Sequence, residues 1–217
     1  MDWLEYLKKM KYGNTIVDLL QDNYDNILDE YNNFVKNLDD NLISNTKKDH
    51  NYEDWKNEYH NVCALCEDED LSTNVNNINY FKKHDYWYGY SENEKNDTSW
   101  ETILIFYKGK NFIHPTLYGK NYFMKTYRLL RKFKNIKRVT IANLFPMSTI
   151  PLHIGDINLQ KIHLGLKIPQ GDVKFKVDGD ILNWQDGKCF IFDDSNPHMA
   201  WNNTNSSRVV LIVDIEK

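Results

Sequence analysis

Before residue 89 the chain carries a single glycine, Gly13, and no proline; the other eight glycines and all five prolines come later. Turn-forming residues gathered in one stretch permit closely spaced strands there, and their scarcity elsewhere permits long helices. The early part has helical spacing: over residues 2–45, Leu4, Leu7, Ile16, Leu19, Leu20, Ile27, Leu28, Tyr31, Phe34, Val35 and Leu38 recur by threes and fours. Two helices, broken around Gly13 and Asn14, are expected. Residues 44–52 read as a polar loop and residues 51–66 as a further short helix.

From residue 101 the period changes to that of strands. Residues 102–107, 138–145, 158–168, 173–177, 188–192 and 208–215 read as strands, with a helix over residues 122–133 that places Phe123, Tyr127 and Leu130 on one face. Turns are expected at Lys108-Gly109-Lys110, Pro169-Gln170-Gly171, Asp178-Gly179, Asp186-Gly187 and Ser195-Asn196-Pro197. Many short strands punctuated this way point to a mainly β fold with flanking helices, a sandwich or barrel such as the double-stranded β-helix of jelly rolls and cupins.

At 217 residues one domain with appendages is expected, and 14 Tyr, 10 Phe and 6 Trp make its core rich in rings with polar edges. A formal charge of −4 excludes a general nucleic-acid surface, which needs a basic excess. The basic run Arg128, Arg131, Lys132, Lys134, Lys137 and Arg138 reads as a solvated helix face and loop, with an anionic partner as the alternative. No apolar stretch approaches the ~20 residues of a membrane span, and residues 1–15 carry charges where a signal peptide would be apolar. A soluble, cytoplasmic protein is expected, its three cysteines reduced and its sequons at Asn96, Asn202 and Asn205 unmodified.

Five polar side chains stand out against the apolar strands. Along residues 158–168, Ile162, Leu164, Leu166 and Ile168 point one way, while Lys161, His163 and Gly165 point the other. If the apolar face packs on helices, Lys161 and His163 look into the barrel, where they can meet an anionic ligand. His153 follows an extended, proline-shaped approach, and His198 follows a turn after a strongly apolar strand; either is a candidate metal ligand or an ordinary turn histidine. Arg208 opens the last strand before Val209-Val210-Leu211-Ile212-Val213, a place where a guanidinium needs a carboxylate, from the protein or from a ligand.

His60, Cys63 and Cys66 have the spacing of half a zinc site but lack a second half, since Cys189 falls in a core strand. Asp178 with Asp180, or Asp193 with Asp194, could form an acid/base carboxylate pair, but Asp178-Gly179 is better explained as a hairpin turn, and neither pair is assigned a hydrolytic role. Tyr86, Trp87, Tyr88 and Tyr90 form an aromatic group that either packs or rims a pocket.

Five segments in order, His153-Ile154-Gly155, Lys161 to Leu166 (KIHLGL), Gly187 to Ser195 (GKCFIFDDS), Pro197 to Asn202 (PHMAWN) and Arg208 to Asp214 (RVVLIVD), resemble the aspartyl/asparaginyl β-hydroxylase family. The resemblance is firm over residues 138–215 and faint over 99–137. It implies an Fe(II)- and 2-oxoglutarate-dependent dioxygenase on a double-stranded β-helix. The change of texture near residue 89 divides the chain into a helical or irregular segment over residues 1–88, expected to pack on the core, and an oxygenase domain over residues 89–217. By the same resemblance, iron would sit on His153 and His198, and the far carboxylate of 2-oxoglutarate on Arg208. His163 would contact the carboxylate nearer the iron, with Lys161 standing where the family usually has arginine. Gly155 takes the place of the carboxylate found two residues after the first histidine in the common facial triad, and Asp156 beside it points to the other side. Ala142 or Asn143 falls where the family often has a serine.

The reaction implied turns 2-oxoglutarate and O2 into succinate and CO2 and places a hydroxyl on an unactivated carbon. The expected target is the β-carbon of an aspartyl or asparaginyl residue in a protein or peptide. The alternatives are a free amino acid or a lipid acyl chain, a non-oxidative cupin-like metal-binding protein, or a non-catalytic interaction domain.

Overall fold

The computed structural model of the protein describes residues 13–36, 88–89, 100–107, 110–111 and 122–217. The expected helix over residues 51–66, the His60, Cys63 and Cys66 group, and the side chains of the Tyr86 to Tyr90 aromatics lie outside the described residues.

Three helices are described, α1 (Gly13–Asp22), α2 (Tyr24–Lys36) and α3 (Met124–Leu130). The strands are β1 (Tyr88–Gly89), β2 (Trp100–Tyr107), β3 (Lys110–Asn111), β4 (Ile136–Leu144), β5 (Ser148–His153), β6 (Leu159–Lys167), β7 (Val173–Val177), β8 (Asp180–Leu182), β9 (Cys189–Asp193), β10 (His198–Asn202) and β11 (Arg208–Glu216). A seven-stranded sheet runs β1-β2-β4-β11-β6-β9 with β3 on β2, and a four-stranded sheet runs β5-β10-β7-β8. The two face each other as a double-stranded β-helix.

The alternation of β6 and β11 divides the molecule into two cores. Ile162, Leu164 and Leu166 of β6 and Val209, Leu211, Val213 and Ile215 of β11 pack outward against Ile16 and Leu20 of α1 and Ile27, Tyr31 and Phe34 of α2. Full burial of each such aliphatic side chain contributes roughly 1.5–3 kcal/mol, so this outer layer is where the helices are fastened. The opposite faces turn inward onto Phe175, Phe190, Phe192 and Trp184. The greasy face of β6 thus meets helices, as its periodicity implies, and His163 points into the barrel.

A break falls at Asn23, between α1 and α2, while the one expected around Gly13 and Asn14 lies at the edge of the described residues, where α1 begins. Asn23 donates from its backbone N–H and from its side-chain amide to the Leu19 carbonyl, at 3.2 and 2.8 Å, and such local side-chain bonding competes with a continuous helix. The N-terminus of α3 has no side-chain cap of its own. Glu30 of α2 replaces one, accepting from the Lys125 and Thr126 N–H groups at 2.6 and 3.0 Å. The β7–β8 connection is the two-residue hairpin that Asp178-Gly179 implies, with φ of 48° and 89°.

Candidate active site

Strands β5 and β10 pair antiparallel, and their register sets His153 opposite His198. His198 opens β10 rather than closing the apolar strand before it, and His153 closes β5, so both stand at one mouth of the barrel. Their ring centroids are 4.1 Å apart. The Nδ1–H of His153 donates to the Pro151 carbonyl at 2.8 Å, and that of His198 to the Asn196 carbonyl at 2.7 Å. With Nδ1 so engaged, each neutral ring keeps the Nε2 lone pair free, which is the arrangement a metal-ligating histidine needs. His198 is buried and His153 exposed, so the pair opens to solvent on one side. Burial is the main reason the His198 imidazolium is disfavoured, which keeps the ring in its ligating form.

Asp194, four residues before His198, belongs to the site although no pattern in the sequence assigns it a role there. It is buried, its Oδ1 has no hydrogen-bond partner, and that oxygen lies 3.6 Å from His198 Nε2. Its Oδ2 accepts the Asp156 N–H at 2.8 Å and stands 3.6 Å from Lys161 Nζ. A Cβ built on Gly155 would overlap this carboxylate, although Gly155 does not have a positive φ. The glycine is therefore explained by space: the region left open beside His153 holds a carboxylate that arrives from the neighbouring segment. Among the described residues no third His, Cys, Asp or Glu joins the histidines in a metal-holding group. Two imidazole nitrogens with one orphaned carboxylate oxygen close by nonetheless form a donor set that suits Fe(II).

Lys161 lies on the inward face of β6 but is held by the protein's own acids. Its ammonium meets Asp214 of β11 at 2.9 Å, and Arg138 of β4 meets the same carboxylate at 2.6 Å. Burial alone would raise the Asp214 pKa; Lys161 and Arg138 overcome it and hold the carboxyl down at about 2. Lys161 thus touches the site through Asp194, not as a free cation.

Deeper in, His163 is enclosed by Phe175, Phe190 and Phe192, with ring centroids 5.1–5.5 Å away. Burial, then the charges of Arg208 and Lys161, push its pKa well below the histidine range, so it is neutral. Trp184 donates its indole N–H to His163 Nδ1 at 3.4 Å, which leaves the ring proton on Nε2. The same indole lies 4.4 Å from the Arg208 guanidinium. Arg208 is 2% exposed, its Nε has no hydrogen-bond partner, and no carboxylate pairs with it among the described residues. Burial with no compensating acid pushes its pKa down to about 9. Ala142 faces the barrel interior and Asn143 the other side of β4, so no hydroxyl stands at that point.

The sequence profile of the family described as aspartyl/asparaginyl beta-hydroxylase matches residues 67–217. The ornithine lipid ester-linked acyl 2-hydroxylase of Rhizobium tropici is 33% identical over 124 residues, covering 56% of this chain and 43% of that protein. The aspartyl/asparaginyl beta-hydroxylase of Homo sapiens is 33% identical over 97 residues, covering 42% of this chain and 13% of that protein. The chain thus spans less than half the length of these relatives. A cupin protein from Bacteroides fragilis aligns at 16% identity over 39% of this chain and 69% of that chain with a TM-score of 0.32, a likeness too slight to bear on function. With a profile match that runs through every segment of the paired-histidine barrel, the chain belongs to the aspartyl/asparaginyl β-hydroxylase family.

Proposed function

We propose that the protein is an Fe(II)- and 2-oxoglutarate-dependent dioxygenase that hydroxylates an unactivated carbon. The observation that carries this reading is Arg208: a fully buried guanidinium with no acidic partner among the described residues is a place built for a carboxylate from outside the chain. His153 and His198 would hold iron through Nε2. Iron with 2-oxoglutarate and O2 supplies the oxidation, one oxygen atom going to a C–H bond and the other to succinate as CO2 leaves.

The chain's own residues bind, orient and exclude water. Arg208 takes the far carboxylate of the dicarboxylic co-substrate, and a bidentate pair of this kind is worth roughly 1.5–3 kcal/mol. His163, neutral and protonated on Nε2, donates to the nearer carboxylate. Asp194 offers Oδ1 as an acceptor for a water beside the histidines, and Lys161 steadies its other oxygen. Phe175 and Phe192, with ring centroids 5.7 and 5.0 Å from that of His198 and 5.5 and 5.2 Å from that of His163, line the way from the histidine pair to His163 with apolar surface.

For the substrate, the relatives' names offer an aspartyl or asparaginyl residue and a lipid acyl chain. The interior cations favour an uncharged target: Lys161 and Arg138 are both held by Asp214, and Arg208 is reserved for the co-substrate. An aspartyl carboxylate would find no further buried cation among the described residues. Incubation with Fe(II), 2-oxoglutarate and O2, against acyl lipids in one series and Asp/Asn peptides in another, tests both parts by mass spectrometry and succinate release. One added oxygen on an uncharged target, the acyl chain or an asparaginyl side chain, is expected. Oxygen on an aspartyl peptide would reverse the substrate reading, and 2-oxoglutarate binding without succinate in either series would favour a non-oxidative, cupin-like role.

A further inference from the structure

The mouth of the barrel beside His153 carries a surface that the oxygenase reading does not use. Leu152, Ile154 and Ile157 are 65%, 62% and 69% exposed, three large aliphatic side chains within six residues. Exposed aliphatic residues scattered singly are ordinary, but a group of them at the opening of a buried site is a contact surface in want of a partner.

The flank of that mouth carries Lys132, Lys134, Lys137 and Lys217, with Asp156, Asp193 and Glu216 among them. Between Thr102 and Gly155 the chain has ten lysines and arginines and no aspartate or glutamate, although its formal charge overall is −4. The turn after α3 brings part of this excess to the rim: the Glu216 N–H donates to the Asn135 carbonyl at 2.8 Å, and the Lys217 N–H to that of Asn158 at 3.0 Å. Lys217 Nζ also donates to the Ile157 carbonyl at 2.7 Å and to Asp193 at 2.6 Å, and Lys137 stands 3.6 Å from Asp156, so these two cations are matched by acids and the uncompensated ones are those on the turn itself. Lys132 and Lys134, next to Asn135 in the chain, are exposed, and no carboxylate pairs with them among the described residues. Across the mouth the β7–β8 turn bears exposed Asp178 and Asp180, so the two sides of the mouth differ in charge.

We infer that this rim docks on an anionic lipid bilayer, with Lys132 and Lys134 at the headgroup phosphates and Leu152, Ile154 and Ile157 in the interfacial layer. A polyanion such as nucleic acid or an acidic peptide would satisfy the cations and leave the aliphatic group in water, whereas a bilayer surface accommodates both. The one-sided charge also fixes the orientation: the β4–β5 side meets the lipid and the Asp178 side faces away.

The test is co-sedimentation of the full chain with vesicles, read without iron or co-substrate, so that its outcome is separate from that of the oxygenase reading. Vesicles of phosphatidylcholine with phosphatidylglycerol should retain the protein, pure phosphatidylcholine vesicles should not, and raised salt should release it. Each lost cation should weaken partition about fivefold, so Lys132→Gln with Lys134→Gln should weaken it about 25-fold. Ile157→Ser should weaken it about tenfold with the charge unchanged. Melting curves would confirm that both variants are folded. Equal retention by both vesicle types, retention by neither, or retention unaffected by either variant would overturn the inference. Loss with the lysine variant alone would overturn it in favour of a soluble polyanion.

Discussion

The two ends of the barrel interior hold charge in opposite ways. At the histidine end, Lys161 and Arg138 converge on Asp214, and Lys161 also approaches Asp194, so cations and acids match within the fold. At the other end Arg208 is as deeply buried, yet it meets an indole face and no acid. The consequences run in opposite directions: the Asp214 carboxyl is held at about 2 despite its burial, and the Arg208 guanidinium is pushed down to about 9 by its burial. The first is an ion network whose desolvation is met by the chain itself. The second is a cation that no acid meets among the described residues, which the proposed reading gives to the co-substrate.

The largest expected effect concerns the histidines that open onto the matched end. A site with two protein ligands has none to spare, so His153→Ala and His198→Ala should each lower Fe(II) affinity by on the order of 100-fold or more and abolish succinate release. Metal titration followed by a turnover assay checks this. Full activity in either folded variant would remove iron from the histidine pair.

The next effect sets the two ends directly against each other. Asp214→Asn leaves Lys161 and Arg138 facing a neutral group and should destabilise the fold by about 3 kcal/mol. Arg208→Leu removes a buried cation that has no partner, and should leave stability unchanged or raise it by about 1 kcal/mol or more. Denaturant titration of both variants breaks the comparison if Arg208→Leu proves the more damaging. The acid side follows the same logic. Asp214 has a lowered pKa, so its stabilisation is complete above the ordinary aspartate range and is lost as pH falls from about 4 through about 2. That loss amounts to about 2 kcal/mol and should be absent from Asp214→Asn.

A smaller effect, on the order of 1–3 kcal/mol, is expected for Gly155→Ala, because the added methyl enters the place of the Asp194 carboxylate. A double-mutant cycle sharpens it: in an Asp194→Ala background the same substitution should cost much less, because the group it collides with is gone. Equal costs in both backgrounds would locate the requirement for glycine in the backbone. The smallest effect belongs to Trp184→Phe, which keeps an aromatic face under Arg208 but removes the N–H that fixes the His163 tautomer. A loss of about 1 kcal/mol, roughly fivefold in 2-oxoglutarate affinity, should be seen with the melting temperature little changed.

Much of this arrangement was legible in the sequence, for identifiable reasons. Strands β4, β6, β7, β9 and β11 come from strongly alternating or apolar runs, and the opposed faces of Ile162 and His163 were readable because the side-chain period of a strand is two. The short strands β5, β8 and β10 were not read as strands: β8 has three residues, Pro151 interrupts β5, and β10 alternates over only five. Both histidines were legible as candidates, but their meeting depends on the β5–β10 register, which no local pattern encodes. Asp194 was hidden for a similar reason. It looks like a turn residue beside Asp193, and only the fold shows that one of the two bonds Ser195 and Lys217 at the surface while the other is buried behind Gly155. The engagement of Lys161 depends on its cross-strand pairing with Asp214, fifty-three residues away. Arg208 was legible as a cation at the start of an apolar strand; that no described acid reaches it could be learned only from the packed barrel.

The measurement that bears most directly on the central claim is calorimetric titration of 2-oxoglutarate into the Fe(II)-loaded protein without oxygen, comparing wild type with Arg208→Ala. Loss of the charge-assisted pair predicts at least about tenfold weaker binding. The variant's melting temperature should stay at or above that of the wild type, since the guanidinium does not hold the fold together. Equal affinity in the two proteins would contradict the account, because the one buried cation left without an acid among the described residues would then not be the seat of the co-substrate.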